Sequence, residues 1–437
     1  MRLVLAVLVA AFALGGALEA RASGFSLYEP SAKHHAFGGA VIGRAIDASA
    51  NFANPATLTD LTNLEVTVGF VTEHPRGTVS VSRNGTRLGE TKMNSGLFWL
   101  PHVMLAAPLP ADFTFGLGFS AEYGLGTTFD EGWPMRWSCT DTEVQGLVFN
   151  PNLAYRLTED WSVAVGLRWL YFDFEQYKDM TVAGMFPMDY KLKGDNGWKG
   201  FGWQIGTKYD ILENLSVGIM YKAQIETTIE GRATGRCRSS PSPYVPASAV
   251  SRAFTGDADA DITLPQSVTF GLNYDPVSDW HVGVAFSWTE WSQLDQLVFN
   301  LPKMTGIGAS GPIKDDRVAS PVVLNWQDTW RASLGVAWDF AEDWTWMISY
   351  TYDMDSTSDS QCSAMLPPAS RHIAATGFSW KLGWGFEATL SYACIFMHGF
   401  DMRMSEDGSV SSAPGEYCLK TQHGFCHAGG FSLTYRF

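Results

Sequence analysis

A short polar turn that runs into a strand-like alternation recurs along the chain. In the copy TEDWSVAVGL, the apolar residues Trp161, Val163 and Val165 share one face, and Ser162 and Ala164 share the other. Similar turns precede Phe113, Leu215, Trp280 and Trp344, and a looser copy contains Gly383 and Gly385. Because alternating segments flank each turn on both sides, each copy predicts a tight β-hairpin.

Counting the alternating segments gives fourteen strands. The six tight turns alternate with seven longer connections, and this asymmetry is typical of bacterial outer-membrane barrels, which have even strand numbers. The pattern therefore predicts an all-β fold, a 14-stranded antiparallel transmembrane β-barrel. The predicted strands are 64–71, 97–107, 113–123, 145–156, 161–174, 201–209, 215–225, 266–274, 280–288, 328–340, 344–352, 372–380, 386–396 and 428–437.

The apolar face of these strands is expected to contact lipid. Aromatic residues make up 14% of the chain, with 17 Trp, and Trp and Tyr collect at the predicted strand ends, as in an interfacial girdle. After residue 22 no uninterrupted apolar stretch reaches 18 residues, which excludes helical spans. The last strand, GGFSLTYRF, places Phe431, Leu433, Tyr435 and Phe437 on one face and ends on an aromatic residue, as outer-membrane barrels do.

The first 22 residues have the features of a secretory signal peptide. Arg2 precedes an apolar run, and Ala20-Arg21-Ala22 forms a small-x-small site, which predicts cleavage before Ser23. The apolar run is about half the roughly 20 residues that a membrane helix needs. Removal of residues 1–22 leaves 28 basic and 44 acidic residues, a net charge of −16 that argues against binding nucleic acid.

The six cysteines are Cys139, Cys237, Cys362, Cys394, Cys418 and Cys426. Export makes disulfides chemically accessible, but six cysteines allow 15 pairings. Cys418 and Cys426 are close in sequence, and a disulfide between them would close one small loop of the longer connections. The competing interpretation is a metal site with His423 and His427, although the spacing matches no common ligand pattern. We expect no metal and no cofactor.

Residues 23–62 lack strand alternation and are rich in Ala, Gly and Ser. A fourteen-stranded barrel is too wide for its own side chains to fill, because barrels of about eight strands are the ones that pack shut. We therefore expect residues 23–62 to form a plug, or hatch, inside the lumen of a barrel formed by residues 63–437.

Several motifs resemble the FadL family of outer-membrane long-chain fatty acid and hydrocarbon transporters. Near the N-terminus these are Ser23-Gly24-Phe25, Leu27, Glu29, Gly38-Gly39, Asp47-Ala48-Ser49 and Asn54-Pro55-Ala56; further on they are PQSVTFGL, FSWTEWSQL and NWQDTWRASLGVAWDF. The resemblance covers essentially the whole mature chain. Lys33-His34-His35 and the six cysteines depart from the family pattern.

The resemblance implies a plugged fourteen-stranded barrel with a hydrophobic path entered from outside. It assigns hatch and gating roles to Gly24, Phe25, Asn54, Pro55 and Ala56, with Phe25 near the internal ligand site. The implied function is passive uptake of hydrophobic small molecules, above all long-chain fatty acids, gated by hatch movement. The partners would be this ligand, outer-membrane lipid or detergent and the outer-membrane assembly machinery, and the protein is expected to be a monomer.

A fatty acid carboxylate inside the barrel would need a cation or hydrogen-bond donors. Alternation places Arg168 and Arg331 on the lumen face, so they are candidates, although pairing with inward acids such as Glu387 or Asp339 is the simpler role for either.

Three alternatives remain open: an aromatic-hydrocarbon channel of the same family, a lipase-like outer-membrane enzyme, and a polar-solute porin or adhesin. No nucleophile motif such as Gly-x-Ser-x-Gly is present, and no catalytic residue is expected. An open porin would not need a plug.

Overall fold

A computed structural model describes residues 24–94, 96–130, 132–182, 186–237, 253–302, 317–357, 370–399, 401–404 and 417–437. The predicted signal peptide, its cleavage site and Cys362 lie outside these residues. None of the described helices is long and apolar enough to cross a membrane.

Fourteen of the described strands close into an antiparallel barrel, as the alternation predicts. Each pairs with the next barrel strand, and the last pairs with the first, for example Val66 with Tyr435. The barrel strands are β1 (Glu65–Arg83), β3 (Phe98–Pro108), β4 (Phe113–Thr128), β5 (Asp141–Arg156), β6 (Trp161–Val182), β8 (Gly200–Leu212), β9 (Leu215–Lys222), β12 (Ser267–Val277), β13 (Trp280–Thr289), β16 (Thr329–Ala341), β17 (Trp344–Asp353), β18 (Arg371–Gly383), β19 (Phe386–His398) and β21 (Tyr417–Arg436).

Six tight turns join barrel strands at one end of the barrel, which we call the turn end. The opposite, loop end carries the longer connections. Here seven further described strands, which the sequence did not predict, extend the sheet. They are β2 (Thr86–Asn94), β7 (Phe186–Asp195), β10 (Ile225–Cys237), β11 (Ala253–Leu264), β14 (Gln296–Pro302), β15 (Arg317–Val323) and β20 (Asp401–Met404).

The two faces of the barrel strands have the predicted character. On β6 the outward Val165 is 58% exposed, whereas the inward Arg168 is 1% exposed. Outward indole rings stack across neighbouring strands at the turn end, with ring centroids 5.4 Å apart for Trp280 and Trp338. This outward apolar surface with an aromatic border fits a lipid bilayer.

The N-terminal segment, residues 24–61, lies inside the barrel. It contains two short helices, α1 (Ala32–Ala36) and α2 (Ala50–Ala53), and the 3₁₀ helix Pro55–Asp60. Each of the three helices is almost wholly buried. Because these helices are too short to be stable alone, their conformation depends on caps and on contact with the wall.

Inward-facing glycines let the segment approach the wall closely. A Cβ atom added at Gly335 would lie 2.5 Å from the carbonyl oxygen of Phe37, and one at Gly377 would lie 2.6 Å from the Cβ of Ala36. These positions belong to the small and polar face that the alternation singled out. Any larger side chain there would push the N-terminal segment away from the wall.

Candidate functional site

Phe25 occupies an aromatic box in the interior of the barrel. Its side chain is 3% exposed, and its ring centroid lies 4.9 Å from Trp291 and 5.8 Å from Trp326. Tyr123 and Phe172 complete the box at 6.0 and 6.2 Å. Gly24 adopts a positive φ of 51°, and a Cβ there would lie 2.7 Å from the Trp291 ring, so only glycine fits before Phe25.

Strand β4 holds the start of the N-terminal segment by backbone hydrogen bonds. Its pairing with β5 shifts register between Ala121 and Tyr123. At this break the N–H of Leu27 donates to the carbonyl of Glu122 (2.8 Å), and the N–H of Gly124 donates to the carbonyl of Phe25 (2.9 Å). The irregular strand therefore offers the N-terminal segment backbone groups that its neighbour leaves unpaired.

A buried charge cluster lies beside this contact. Glu122 forms ion pairs with both Arg168 and Lys222, the latter at 2.8 Å. Arg168 also donates to the carbonyl of Ala223 (3.0 Å) and to the hydroxyl of Tyr123 (3.2 Å). Arg168 is thus on the lumen face as predicted, but its acidic partner is Glu122 rather than Glu387 or Asp339.

Arg331, the second predicted candidate, is bound less completely. Its guanidinium lies over the ring of Tyr28, 4.3 Å from the centroid, and donates to the carbonyl of Gly38 (3.2 Å). Its Nε is buried without a hydrogen-bond partner among the described residues. A further acceptor, such as a carboxylate, would satisfy this donor.

Arg168, Lys222, Arg331 and Glu122 all line one internal cavity, together with Tyr28 and other residues of the N-terminal segment. Three cations and one carboxylate give its wall a charge of +2, with His34 neutral. The cavity volume is about 80 Å³, smaller than the roughly 150 Å³ cavity that admits benzene in an engineered protein. With the segment in this position, this cavity is too small to hold an apolar ligand of that size.

An apolar lining continues from the aromatic box toward the loop end. The centroids of Phe174 and Phe299 lie 5.5 Å apart, and Leu192, Ile229 and Ala260 are buried in the same cluster. These residues belong to β6, β7, β10, β11 and β14. The loop-end strands thus carry their apolar side inward, whereas the barrel strands below carry it outward.

Asn54 fastens the N-terminal segment to the wall. Its Nδ2 donates to the carbonyl oxygens of Ile42 (2.7 Å) and Thr207 (3.0 Å). Its Oδ1 accepts from the N–H of Ala56 (3.2 Å), which caps the 3₁₀ helix that begins at Pro55. Asn54 is fully buried, so each of these bonds is made away from water.

Ion pairs and an amide network make further connections to the wall. Lys33 pairs with Glu387, and Arg44 pairs with Asp275 at 2.6 Å. The side chain of Asn152 donates to Asn51 Oδ1 (2.9 Å), and Gln204 donates to Asn152 (2.7 Å). On the wall, His281 contacts Asp275 and Asp339 at 2.7 and 3.2 Å.

The two histidines that depart from the family pattern are buried in α1. Burial, with Arg331 and Lys222 nearby, lowers the pKa of His34 to about 3. Burial also lowers the pKa of His35 to about 4, and its Nδ1 lies 3.0 Å from the hydroxyl of Ser391. Both imidazoles are therefore neutral at neutral pH.

The predicted disulfide between Cys418 and Cys426 is wrong. Both residues lie in β21 rather than in a loop, and the thiol of Cys426 is free. Eight residues of extended strand separate their Cα atoms by roughly 26 Å, whereas a disulfide requires less than about 7 Å. Cys237 is the last residue of β10. Among the described residues no group of three or more His, Cys, Asp or Glu side chains could hold a metal ion.

The sequence did not single out Glu122, Lys222, Trp291 or Trp326 as site residues. Trp291 and Trp326 lie in two of the segments that carry the family resemblance, FSWTEWSQL and NWQDTWRASLGVAWDF. Glu122 lies within the predicted strand 113–123, and its charge among apolar neighbours could have indicated a functional role.

The geometry defines a closed transmembrane β-barrel with an obstructed, partly apolar interior. The family model described as "Outer membrane protein transport protein (OMPP1/FadL/TodX)" matches residues 13–437, and the chain belongs to this family. It is thus an outer-membrane β-barrel transport protein of the FadL/TodX family.

Individual relatives agree with this assignment. The long-chain fatty acid transport protein of Salmonella typhi is 23% identical over 384 residues, which cover 83% of this chain and 84% of that protein. Outer membrane protein P1 of Haemophilus influenzae is 23% identical over 361 residues, covering 75% and 73%.

Solved structures show the same fold. A Pseudomonas aeruginosa FadL homologue superposes with a TM-score of 0.78, at 16% identity, over 95% of this chain and 100% of that one. The toluene transporter TodX of P. putida gives 0.72, also at 16% identity, over 94% and 99%.

Proposed function

We propose that this protein takes up long-chain fatty acids by passive transport and that its N-terminal segment is the gate. Residues 23–62 would act as a hatch within the barrel of residues 63–437. Gly24 and Phe25 would close the aromatic box, and Asn54, Pro55 and Ala56 would fix the hatch to the wall. The observation that supports this proposal is the small internal cavity lined by the segment, because a long acyl chain does not fit there unless the hatch moves.

The chemistry of the cavity favours an acidic amphiphile. Burial of an acyl chain stabilises binding by roughly 0.8 kcal/mol per CH₂, and the apolar lining from Phe299 to Phe25 suits such a chain. The carboxylate would meet a wall with a charge of +2, in which Arg331 Nε has a free donor. A hydrogen bond to a charged group contributes roughly 1.5–3 kcal/mol, or about ten- to a hundredfold in affinity.

Uptake into proteoliposomes tests this assignment. We expect Arg331→Ala to slow uptake of a long-chain fatty acid at least tenfold more than uptake of the fatty alcohol of equal length. Arg331→Lys, which keeps the charge, is the matched control and should retain most of the discrimination. Equal effects of Arg331→Ala on acid and alcohol would remove the carboxylate role from Arg331.

An aromatic-hydrocarbon channel is the second candidate. Its support is the four-ring box around Phe25, together with the structural similarity to the toluene transporter TodX of P. putida. A neutral aromatic solute has no group for Arg331 to bind. Toluene uptake that exceeds fatty acid uptake and is unchanged in Arg331→Ala would favour this candidate.

We further infer that the protein transports without catalysis. A lipase-like enzyme would release fatty acid from an ester supplied to the purified protein, and the transport proposal predicts no release above the detergent blank. A polar-solute porin would conduct ions with the hatch in place. Deletion of residues 23–60 should raise ion conductance only if these residues obstruct the lumen.

A further inference from the structure

Two histidines face each other on the outer surface of the barrel, away from the transport path. His372 lies near the start of β18 and His398 at the end of β19, both at the loop end. Their Nε2 atoms are 2.8 Å apart and their ring centroids 4.9 Å apart. His398 is exposed on this surface and His372 is partly exposed.

The pair lies at the outer membrane interface. His372 is eight residues along β18 from the girdle residue Trp380. A strand rise of about 3.3 Å per residue at a tilt of about 40° places it roughly 20 Å above that girdle. Since the apolar band of such barrels is roughly 25 Å tall, His372 lies at its upper edge and His398 above it.

Neighbouring tyrosines hold the ring of His372. The hydroxyl of Tyr350 hydrogen-bonds to Nδ1 of His372, and the ring of Tyr352 lies 5.1 Å from it, centroid to centroid. The Nε2 of His372 is thereby directed at His398. Fixing a ligand histidine through its second nitrogen is how proteins orient metal-binding imidazoles.

We propose that His372 and His398 bind a divalent transition metal of the Zn²⁺ type through their Nε2 atoms. Zinc–nitrogen bonds of about 2.0–2.1 Å at a tetrahedral angle require the two nitrogens to be about 3.4 Å apart. The pair needs to open by only about half an ångström. Imidazole selects Zn²⁺, Cu²⁺ or Ni²⁺ over Mg²⁺ and Ca²⁺, which prefer oxygen ligands.

Metal binding at this pair requires only a change of tautomer at His372, with no proton gained or lost. In the metal-free pair one Nε2–H donates to the other Nε2, and the hydroxyl of Tyr350 can donate to Nδ1 of His372. On metal binding, the His372 proton moves to Nδ1 and donates to the oxygen of Tyr350, so both Nε2 lone pairs face the metal. Water completes the coordination. Two protein ligands make the site exchangeable rather than structural.

Isothermal titration of the detergent-solubilised protein with Zn²⁺ tests the site. We expect one saturable site that His372→Gln and His398→Gln each weaken by more than about tenfold. The matched control is His427→Gln, which alters an outward histidine on the adjacent β21 that hydrogen-bonds Tyr392 at 2.8 Å; it should leave this affinity unchanged. Absence of saturable binding, or equal affinity in the His372 and His398 variants, would overturn the proposal.

A second measurement separates coordination from a structural role of the pair. Tyr350→Phe should weaken Zn²⁺ binding less than loss of either histidine, while all variants keep the heat-modifiable mobility of a folded barrel. Zn²⁺ affinity should also fall in acid, because protons compete with the metal for the imidazole nitrogens. Affinity that does not fall in acid would contradict histidine ligation.

Discussion

Gly335→Ala tests whether the N-terminal segment closes the barrel. The new Cβ would lie 2.5 Å from the carbonyl oxygen of Phe37 and 2.8 Å from its Cδ1. An ordinary contact is about 3.5 Å, so the segment would have to move by roughly 1 Å. Phe37 is 3% exposed and cannot turn aside within a packed interior.

Overpacking of this kind costs about 1–3 kcal/mol. A central value of about 2 kcal/mol, applied only to the docked segment, raises the ratio of open to closed protein about thirtyfold, at 1.4 kcal/mol per tenfold. The outward face of β16 is unaffected, because the strain lies entirely on the lumen side of the strand.

Single-channel recording in planar bilayers measures the effect. We expect Gly335→Ala to raise the open fraction about thirtyfold over wild type. The matched control is Gly429→Ala on β21, where the nearest atom to an added Cβ is 3.7 Å away; it should behave as wild type. If Gly335→Ala conducts no more than the control while remaining a folded barrel, the segment does not obstruct the lumen.

Three further predictions concern the same segment and the thiols. The docked segment keeps His34 and His35 neutral, with pKa values of about 3 and 4 against 6.5 when the segment is undocked. Docking is therefore most stable above pH 6.5 and weakens as the pH falls. Conductance should rise between pH 7 and pH 5, and a conductance that does not change with pH would contradict the burial of both rings. Asn54→Ala leaves two buried carbonyls without their donor and removes a helix cap, so docking should weaken by about 2–4 kcal/mol, and conductance equal to wild type would show that Asn54 does not hold the segment. Mass spectrometry of a non-reduced digest should show no peptide in which Cys418 is linked to Cys426, and finding that peptide would contradict the register of β21.

The barrel strands were predictable from the sequence because alternation is a local property. In β6, for example, the apolar Val165 marks the lipid-facing side of the strand and the charged Arg168 marks the lumen-facing side. The loop-end strands escaped the same pattern because they leave the membrane: in β10 the inward Ile229 and Ala233 are apolar and the outward Glu230 and Arg232 face water. That arrangement reverses the rule by which the barrel strands were counted.

The site was predictable only in part. Phe25 and Asn54 follow from the family resemblance, and the lumen side of Arg168 and Arg331 follows from alternation. The partner of Arg168 does not, since Glu122 is 46 residues away and reaches it only through the register of β4, β5 and β6. The cysteine prediction failed for the same reason: closeness in sequence implies closeness in space for a loop but not for a strand.

Locking the hatch to the wall tests the central claim most directly. Ala32 of α1 packs against Gly430 of β21: a Cβ added at Gly430 would press on Oγ of Ser391, a hydroxyl that can rotate, and would lie 3.2 Å from the Cβ of Ala32. This is close to the separation that a disulfide needs, about 3.5–4.5 Å. The measurement is fatty acid uptake by the Ala32→Cys, Gly430→Cys variant, with the six native cysteines replaced by alanine, in proteoliposomes. The account predicts background uptake when oxidised and recovery on reduction, whereas wild-type uptake by the fully cross-linked protein would contradict it.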